Sequence, residues 1–333
     1  MVVLSRPAIE QISLIQNNKP TAFPGIPTID LSDPDSKTQL VKACEELGFF
    51  KVANHGIPVE FMERLEAEAV KFFSLPRPEK DQAGPANPFG YGNKSIGPNG
   101  DMGWVEYLLL QTNAESIARK SLTISRENPE NFFSAANDYI KAVRRLSCVV
   151  LELIAEGLKI RTRDVFSKLL MDGESDSVFR INHYPPCPDE LEASGCNLTG
   201  FGEHTDPQIV SILRSNNTSG LQISLKDGSW ISVPPDPTSF FVIVGDSLQV
   251  MTNGRFRSVR HRVLTNSRKS RVSMIFFGAP AIEDRIGPIP VLMKGGGESL
   301  YREFTWSEYK RSAYESRLAD NRLRPFEKIE GAS

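Results

Sequence analysis

The sequence is poor in cysteine and contains no long apolar run. Its four cysteines form no Cys-x-x-Cys pair, which argues against a zinc knuckle and against a secreted disulfide scaffold. No segment approaches the roughly 18 consecutive apolar residues that span a bilayer, and the first residues show no apolar signal-peptide core. We therefore expect a cytoplasmic protein, with the nucleus as a further compartment, that does not bind membranes.

An excess of charge of one sign is also absent. The 39 Lys and Arg nearly balance the 41 Asp and Glu, so the net charge of -2 gives no general attraction to nucleic acid. Hydrophobic residues make up 40% and charged residues 24% of the 333 positions, as in globular proteins with a buried core. We expect no nucleic-acid partner, and nothing in the composition specifies an oligomer.

Hydrophobic periodicity divides the chain into a mixed first half and a β-rich second half. Apolar residues recur at helical spacing from 129 to 157, whereas about eight short apolar segments alternate with turn residues from 178 onward. Glycine and proline are frequent from 83 to 104, which favours an irregular loop suited to substrate contacts. The predicted strands span 26–31, 49–53, 104–110, 178–184, 199–205, 208–213, 220–225, 229–233, 239–244, 255–263 and 271–277, and the predicted helices span 36–47, 58–73, 129–157, 162–170 and 304–317.

These elements favour a closed or double-sheet β architecture with helical additions. We expect residues 1–175 to form an α/β region that supports the core and contributes a substrate loop. Residues 176–300 would form the β core that carries the functional site, and residues 301–333 a closing helix followed by a mobile tail after 324.

Two histidines and a carboxylate in the β-rich half could bind a metal ion. His204 and Asp206 are two residues apart, so on a strand their side chains would point to the same face. His261 lies in a second β-like segment, and the chain has only four histidines. Such a set is the facial triad of non-haem Fe(II) sites. A catalytic zinc site would have the same ligands, and ordinary core histidines are the other alternative.

A candidate anion site follows the last of these residues. Arg271 and Ser273 are also two apart at the start of an apolar run, and arginine presents a planar fork to a carboxylate. An Fe(II) ion with three open positions can hold a 2-oxo acid through two oxygens and keep one position for dioxygen, so the far carboxylate needs a partner. Tyr184 could supply another hydroxyl. The alternative for Arg271 is a solvated surface charge.

In their order along the chain, these and neighbouring motifs resemble the signature of the plant 2-oxoglutarate/Fe(II)-dependent dioxygenases. The resemblance covers nearly the whole sequence and implies a mainly β fold with α additions, a double-stranded β-helix or jelly-roll core flanked by helices. The motifs are Ile29-Asp30-Leu31, Gly48-Phe49-Phe50, Asn54-His55-Gly56, Asn182-His183-Tyr184-Pro185-Pro186-Cys187, His204-Thr205-Asp206, Gly245-Asp246, Asn253-Gly254, His261-Arg262-Val263 and Arg271-Val272-Ser273.

The resemblance also implies roles for single residues. Iron would be bound by His204, Asp206 and His261. The co-substrate 2-oxoglutarate would be bound by Arg271, Ser273 and Tyr184, with Asn182 beside it. The implied reaction uses Fe(II), 2-oxoglutarate and dioxygen, with ascorbate as a supporting reductant. It yields succinate and carbon dioxide while the primary substrate is hydroxylated.

Within that family, several segments are similar to the gibberellin 2-oxidases that act on nineteen-carbon gibberellins. This similarity implies 2β-hydroxylation, which inactivates the hormone. Ser95 departs from the pattern, because a basic residue is expected after Lys94 in several relatives. The similar segments are 84–94, 99–110, 211–216, 304–310 and 316–323.

A polycyclic acid needs an apolar cavity with one or two fixed polar groups. The candidate substrate contacts are Trp104, Tyr107, Leu213, Phe240 and Lys94. Two other functions remain open. One is a related dioxygenase that acts on a flavonoid or another small metabolite, and the other is a non-catalytic hormone-binding protein on the same fold.

Overall fold

The apolar strands of the second half pair into two β-sheets, and strands from the first half extend both. The computed structural model describes residues 12–16, 25–96, 99–187, 196–293 and 298–328. The strands of the described chain are β1 Leu14–Gln16, β2 Thr28–Asp30, β3 Phe49–Ala53, β4 Gly90–Ser95, β5 Met102–Gln111, β6 Val178–Tyr184, β7 Cys196–His204, β8 Val210–Ser215, β9 Leu221–Ser224, β10 Trp230–Ser232, β11 Phe240–Val244, β12 His261–Leu264, β13 Arg271–Gly278, β14 Arg285–Ile286 and β15 Phe304–Thr305.

The larger sheet has the order β2-β3-β11-β8-β13-β6-β5-β4, and the smaller has the order β1-β7-β12-β9-β10. Neighbouring strands are antiparallel except for the parallel pair β2 and β3. Apolar residues from both sheets, among them Leu213 and Ile275 from one and Phe201 and Val263 from the other, form one buried cluster between them. The chain therefore has the expected jelly-roll core.

One long helix covers the outer face of the larger sheet. This helix, α5 (Pro129–Gly157), buries Ala136, Ile140, Val143 and Ile154 along one stripe. It contacts the helices α1 (Ser36–Glu46), α2 (Val59–Ser74) and α4 (Ala114–Ile124) as well as β8 and β13. No helix in the described ranges is long and apolar enough to cross a bilayer. The helices of the described chain are α1 Ser36–Glu46, α2 Val59–Ser74, α3 Arg77–Lys80, α4 Ala114–Ile124, α5 Pro129–Gly157, α6 Lys168–Met171, α7 Asp246–Met251 and α8 Trp306–Glu315.

The segment from 83 to 104 is more regular than its composition suggests. Residues Gly90–Ser95 form β4, which pairs with β5, so the expectation of a wholly irregular loop was wrong. A Cβ atom on Gly92 would lie 2.2 Å from Cζ of Tyr107. At this position glycine makes room for a ring on the neighbouring strand, and it does not mark a loop.

Two other predicted elements were too long. The predicted strand 255–263 begins only at His261, because the turn before it is bound to α7: Gln249 Oε1 accepts from the Ser258 amide at 2.7 Å, and Thr252 Oγ1 accepts from the Phe256 amide at 3.2 Å. The predicted helix 162–170 is a series of turns that ends in the short α6.

The end of the chain is better anchored than expected. Residues Arg324–Phe326 form a 3-10 turn, and the Phe326 ring is buried 4.6 Å from the Phe304 ring and 5.2 Å from the Tyr309 ring. The expectation of a mobile tail after 324 was therefore wrong for residues 325–328. Residues 329–333 lie outside the described part of the chain.

Phe240 lies in the core beside α5, with its ring 4.7 Å from His55 and 6.2 Å from Tyr139. We expect Phe240→Ala to lower the free energy of unfolding by about 3 to 5 kcal/mol, because it leaves a cavity that the larger sheet and the helix cannot fill. Denaturant unfolding measures this change. Leu122→Ala, at a position that is 62% exposed, is the control and should cost less than about 0.5 kcal/mol. Equal effects for the two variants would contradict the packing described.

Candidate active site

Two adjacent strands of the smaller sheet bring the three possible metal ligands together. His204 ends β7, His261 begins β12, and the two residues are directly paired in the register. Asp206 lies just past the end of β7. One ligand atom from each residue lies within 4.8 Å of the other two, and Asp206 Oδ1 is 3.5 Å from His204 Nε2 and 3.7 Å from His261 Nε2. The arrangement has the size of a single-ion site.

A bulge in β7 determines which residue faces His261. Val263 pairs with Phe201, so two residues on β12 correspond to three on β7. A regular pairing would place Glu203 opposite His261, because it would advance two residues on each strand. The extra residue puts His204 there instead, and Glu203 forms an ion pair with Arg260 at 3.2 Å.

Backbone carbonyls orient both histidines. Nδ1 of His204 lies 2.8 Å from the Gly202 carbonyl oxygen, and Nδ1 of His261 lies 3.2 Å from the Val259 carbonyl oxygen. Each Nδ1 therefore carries the proton and donates it, which leaves the Nε2 lone pair directed towards Asp206. Metal-binding histidines usually donate the N–H of their other ring nitrogen in this way.

The charge state of the cluster also suits a cation. Burial and the neighbouring His261 lower the pKa of His204 to about 4, so its ring is neutral at pH 7. Burial alone would raise the pKa of Asp206, but the neighbouring His261 and His204 and the hydrogen bond from Ser211 lower it. Ser211 Oγ donates to Asp206 Oδ2 at 2.6 Å, which leaves Oδ1 free to face the histidines. Two imidazoles and one carboxylate fit Fe(II).

The predicted anion site forms on the larger sheet. In the antiparallel pair β6 and β13, Arg271 is opposite Tyr184 and Ser273 is opposite Asn182, and all four side chains are buried. The Arg271 guanidinium carbon lies 5.6 Å from the centre of the Tyr184 ring. The sequence-predicted group is thus brought together by one strand pairing.

Arg271 lacks an anionic partner among the described residues. Its Nη1 has no hydrogen-bond acceptor, and no carboxylate of the described chain forms an ion pair with it. Burial lowers the pKa of Arg271, although a guanidinium remains charged at neutral pH. A buried cation without a counter-ion is costly, and a dicarboxylate such as 2-oxoglutarate would supply the missing charge.

A cavity of 740 Å³ opens beside the metal-ligand cluster, and His204 and Asp206 form part of its wall. Its mixed apolar and polar lining and its volume are typical of small-molecule sites. Other lining residues come from β4, β5, β6, β7 and the C-terminal segment: Ser95, Tyr107, Arg180, Phe201, Lys310, Tyr314, Leu318 and Arg322.

Of the five candidate substrate contacts, Tyr107 lines this cavity and the other four lie elsewhere. Trp104 packs with Ile12, Cys187 and Leu198, and the Lys94 ammonium lies 5.8 Å from its ring centre. Leu213 is in the cluster between the sheets. Phe240 is in the core beside α5, as described above. These four residues lie outside the cavity wall, and their contact with a substrate stays a prediction.

Sequence reasoning missed the cavity residues that long-range packing supplies. Arg180 could have been found, because it shares the strand face of Asn182 and Tyr184 at steps of two residues. Leu318 and Arg322 follow the last helix, and no periodic pattern connects them to the metal ligands.

A series of hydrogen bonds connects helix α8 to the metal-ligand loop, residues 204–206. The Tyr309 hydroxyl donates to Asp246 Oδ2 at 2.6 Å, and Thr205 Oγ1 donates to the same oxygen at 3.0 Å. The Asp246 amide donates to the Asp206 carbonyl oxygen at 2.7 Å, and Arg322 Nη1 donates to the Thr205 carbonyl oxygen at 3.5 Å. The backbone between two ligands is thus fixed from several sides.

Two family models match the chain. One, described as the 2OG-Fe(II) oxygenase superfamily, matches residues 175–280 and so includes the cluster and Arg271. The other, described as the N-terminal region of non-haem dioxygenase in morphine synthesis, matches residues 26–131.

Curated relatives match over almost the full length. The chain is 61% identical to a gibberellin 2-beta-dioxygenase of Phaseolus coccineus, across 98% of this chain and 99% of the relative. It is 62% identical to gibberellin 2-beta-dioxygenase 1 of Pisum sativum, across 99% of each chain.

Solved structures share the fold. The crystal structure of JOX2 in complex with 2OG, Fe and JA has a TM-score of 0.81 at 26% identity, and the match covers 96% of this chain and 94% of that one. A dioxygenase for auxin oxidation in rice has a TM-score of 0.76 at 25% identity, and the match covers 91% of this chain and 100% of that one.

We expect His204→Ala to weaken Fe(II) binding by at least about 10-fold, because it removes one of three protein ligands from the first coordination sphere. Anaerobic titration with Fe(II), followed by calorimetry, measures the affinity. His55→Ala is the control, since His55 lies outside the cluster and its Nε2 contacts the Thr238 carbonyl oxygen. Unchanged Fe(II) affinity in a folded His204→Ala protein would remove His204 from the metal site.

Proposed function

Because the chain belongs to the gibberellin 2-beta-dioxygenase family of 2-oxoglutarate/Fe(II) oxygenases, we propose that it hydroxylates nineteen-carbon gibberellins at carbon 2 on the β face and so inactivates the hormone. The observation that carries the proposal is the near full-length identity to these relatives, in a chain whose His-Asp-His cluster opens into a 740 Å³ cavity. The chain is a dioxygenase that uses Fe(II) and 2-oxoglutarate.

We propose that His204, Asp206 and His261 bind the iron. The fit rests on two oriented Nε2 atoms and one free carboxylate oxygen within 4.8 Å of one another. When bound, Fe(II) with 2-oxoglutarate and dioxygen supplies the oxidising power for hydroxylation, while 2-oxoglutarate is converted to succinate and carbon dioxide. Ascorbate would serve as a supporting reductant.

The remaining residues would bind and orient the two organic substrates. Arg271 would pair with the far carboxylate of 2-oxoglutarate, assisted by the hydroxyls of Tyr184 and Ser273, with Asn182 beside it. These groups are supported as co-substrate ligands by their burial and by the unpaired Nη1 of Arg271. The cavity wall, including Tyr107, would hold the polycyclic substrate and keep water from the reacting carbon.

In this proposal each region of the chain has its own role. Residues 176–300 would carry the iron and co-substrate sites, residues 1–175 would support the core and provide part of the substrate wall, and residues 301–333 would close the cavity from the C-terminal side. We propose a cytoplasmic location, with the nucleus as a further compartment.

Incubation with Fe(II), ascorbate, 2-oxoglutarate and a nineteen-carbon gibberellin should yield a product hydroxylated at carbon 2 together with one succinate per product. Mass spectrometry and NMR identify the product, and parallel incubations with flavonoids test the substrate class. Attack at carbon 3 or turnover of a flavonoid alone would overturn the assignment. Gibberellin binding without consumption of 2-oxoglutarate would instead indicate a non-catalytic binding protein.

We expect Arg271→Met to raise the KM for 2-oxoglutarate by at least about 10-fold, because a charge-assisted pair contributes roughly 1.5 to 3 kcal/mol. The KM for the gibberellin should change much less. Steady-state kinetics with each substrate varied in turn separate the two effects. A larger change in the KM for the gibberellin than in the KM for 2-oxoglutarate would mean that Arg271 serves the primary substrate.

A further inference from the structure

The cavity wall contains three cationic side chains, Arg180, Lys310 and Arg322, within the described part of the chain. Lys310 already has an acidic partner, since its Nζ lies 2.7 Å from Asp176 Oδ2. Arg322 donates to the Thr205 carbonyl oxygen and interacts electrostatically with Asp246. Arg180 forms no ion pair with any carboxylate of the described residues. It is therefore the cation in this wall whose charge is least compensated.

The Arg180 guanidinium is held rigidly by uncharged groups. Its carbon lies 3.7 Å from the Tyr107 ring centre and 5.0 Å from the Phe201 ring centre, and its Nε donates to Asn182 Oδ1 at 2.7 Å. Nη2 is shielded from solvent and has no acceptor. Two aromatic faces and one amide thus fix the plane of the fork and leave donors unused. A carboxylate is the ligand that such a fork fits best.

Arg180 adjoins the proposed co-substrate group through Asn182, but it faces the cavity and has a different strand partner from Tyr184. Arg271 pairs with Tyr184 in the sheet, whereas Arg180 pairs with Ile275. Arg180 and Tyr184 are four residues apart on β6, so their Cα atoms are about 13 Å apart. Because Arg180 lines the cavity, an anionic group of a substrate bound there could pair with it.

The residues of β4 do not provide a competing cation. Ser95 faces the cavity, while Lys94 lies outside its wall beside Trp104. Tyr107, which stacks on Arg180, donates its hydroxyl to the Ser95 carbonyl oxygen at 3.2 Å and so connects β4 to the arginine.

We propose that Arg180 binds the carboxylate of the gibberellin and thereby sets the preference of the enzyme for the free acid. The inference rests on the proposed function, because it requires a substrate that carries a carboxylate. The Tyr107 and Phe201 rings position the guanidinium and also contribute apolar wall next to the bound acid. Arg180 is a specificity-determining residue in this assignment.

The test compares a nineteen-carbon gibberellin with its methyl ester, which has the same ring system but no negative charge. The wild-type enzyme should show a kcat/KM for the acid at least about 10-fold above that for the ester. Arg180→Met should lower kcat/KM for the acid by at least about 10-fold, leave that for the ester within about 2-fold, and so abolish the preference. Arg180→Lys should recover part of it, because the charge returns without the fork.

Arg262→Met is a matched control. The Arg262 guanidinium carbon lies 4.0 Å from the Trp230 ring centre and its Nε donates to Gln222 Oε1 at 2.8 Å, so it makes the same two kinds of contact outside the cavity wall. This variant should retain the acid-to-ester ratio. Circular dichroism and thermal unfolding, compared with the wild type, show whether Arg180→Met is folded.

The outcomes separate this inference from the proposed function. Turnover of gibberellins by the wild type with an unchanged acid-to-ester ratio in Arg180→Met and Arg180→Lys would overturn the role of Arg180 and leave the function standing. A rise in the KM for 2-oxoglutarate alone would assign Arg180 to the co-substrate and overturn the inference. Absence of gibberellin turnover by the wild type would overturn both. If Arg180→Met does not fold, the ratio in Arg180→Lys decides.

Discussion

The register between β7 and β12 is the constraint on which the candidate site depends. It places the His204 and His261 rings 4.2 Å apart and brings Asp206 to the same point. A slip of one residue would turn His261 to the opposite face of the sheet. The inward-facing pair Phe201 and Val263 stabilises the register through burial, so the hydrophobic cluster between the sheets also specifies the metal geometry.

A second strand pairing adds the anion site without any further loop. Because β6 and β13 are antiparallel and in register, residues two apart on each strand meet on one face and form a compact polar group within an apolar interior. The buried, unpaired charge of Arg271 is unfavourable in isolation, and the proposed pairing with 2-oxoglutarate would compensate it. The fold therefore retains a buried guanidinium that a bound anion would stabilise.

The elements with long, uniform hydrophobic patterns were predictable from the sequence. So was the grouping of residues in the His-Asp-His cluster and in the anion site around Arg271. The helix 129–157 and the strand 178–184 have the bounds predicted for them, because each buries a continuous face. The bulge in β7 could not be predicted, since His204 and Glu203 are both compatible with a strand end.

The substrate wall was predictable only in small part. Aromatic identity alone did not distinguish Tyr107, which faces the cavity, from Trp104 and Phe240, which are buried in the core. Residues such as Leu318 reach the cavity through the packing of the C-terminal segment on the rest of the molecule, and no local pattern encodes that packing.

The hydrogen bonds from the C-terminal segment to the metal-ligand loop have a consequence for biosynthesis. Tyr309 and Arg322 are translated long after His204, Asp206 and His261, yet they help to fix the backbone between the first two ligands through Asp246 and the Thr205 carbonyl oxygen. A nascent chain that has exposed all three ligands still lacks this support while its last residues are inside the ribosome. The rigid form of this loop therefore requires the completed chain, and a chain that ended after 300 would keep His204, Asp206 and His261 but lose the hydrogen bonds from Tyr309 and Arg322.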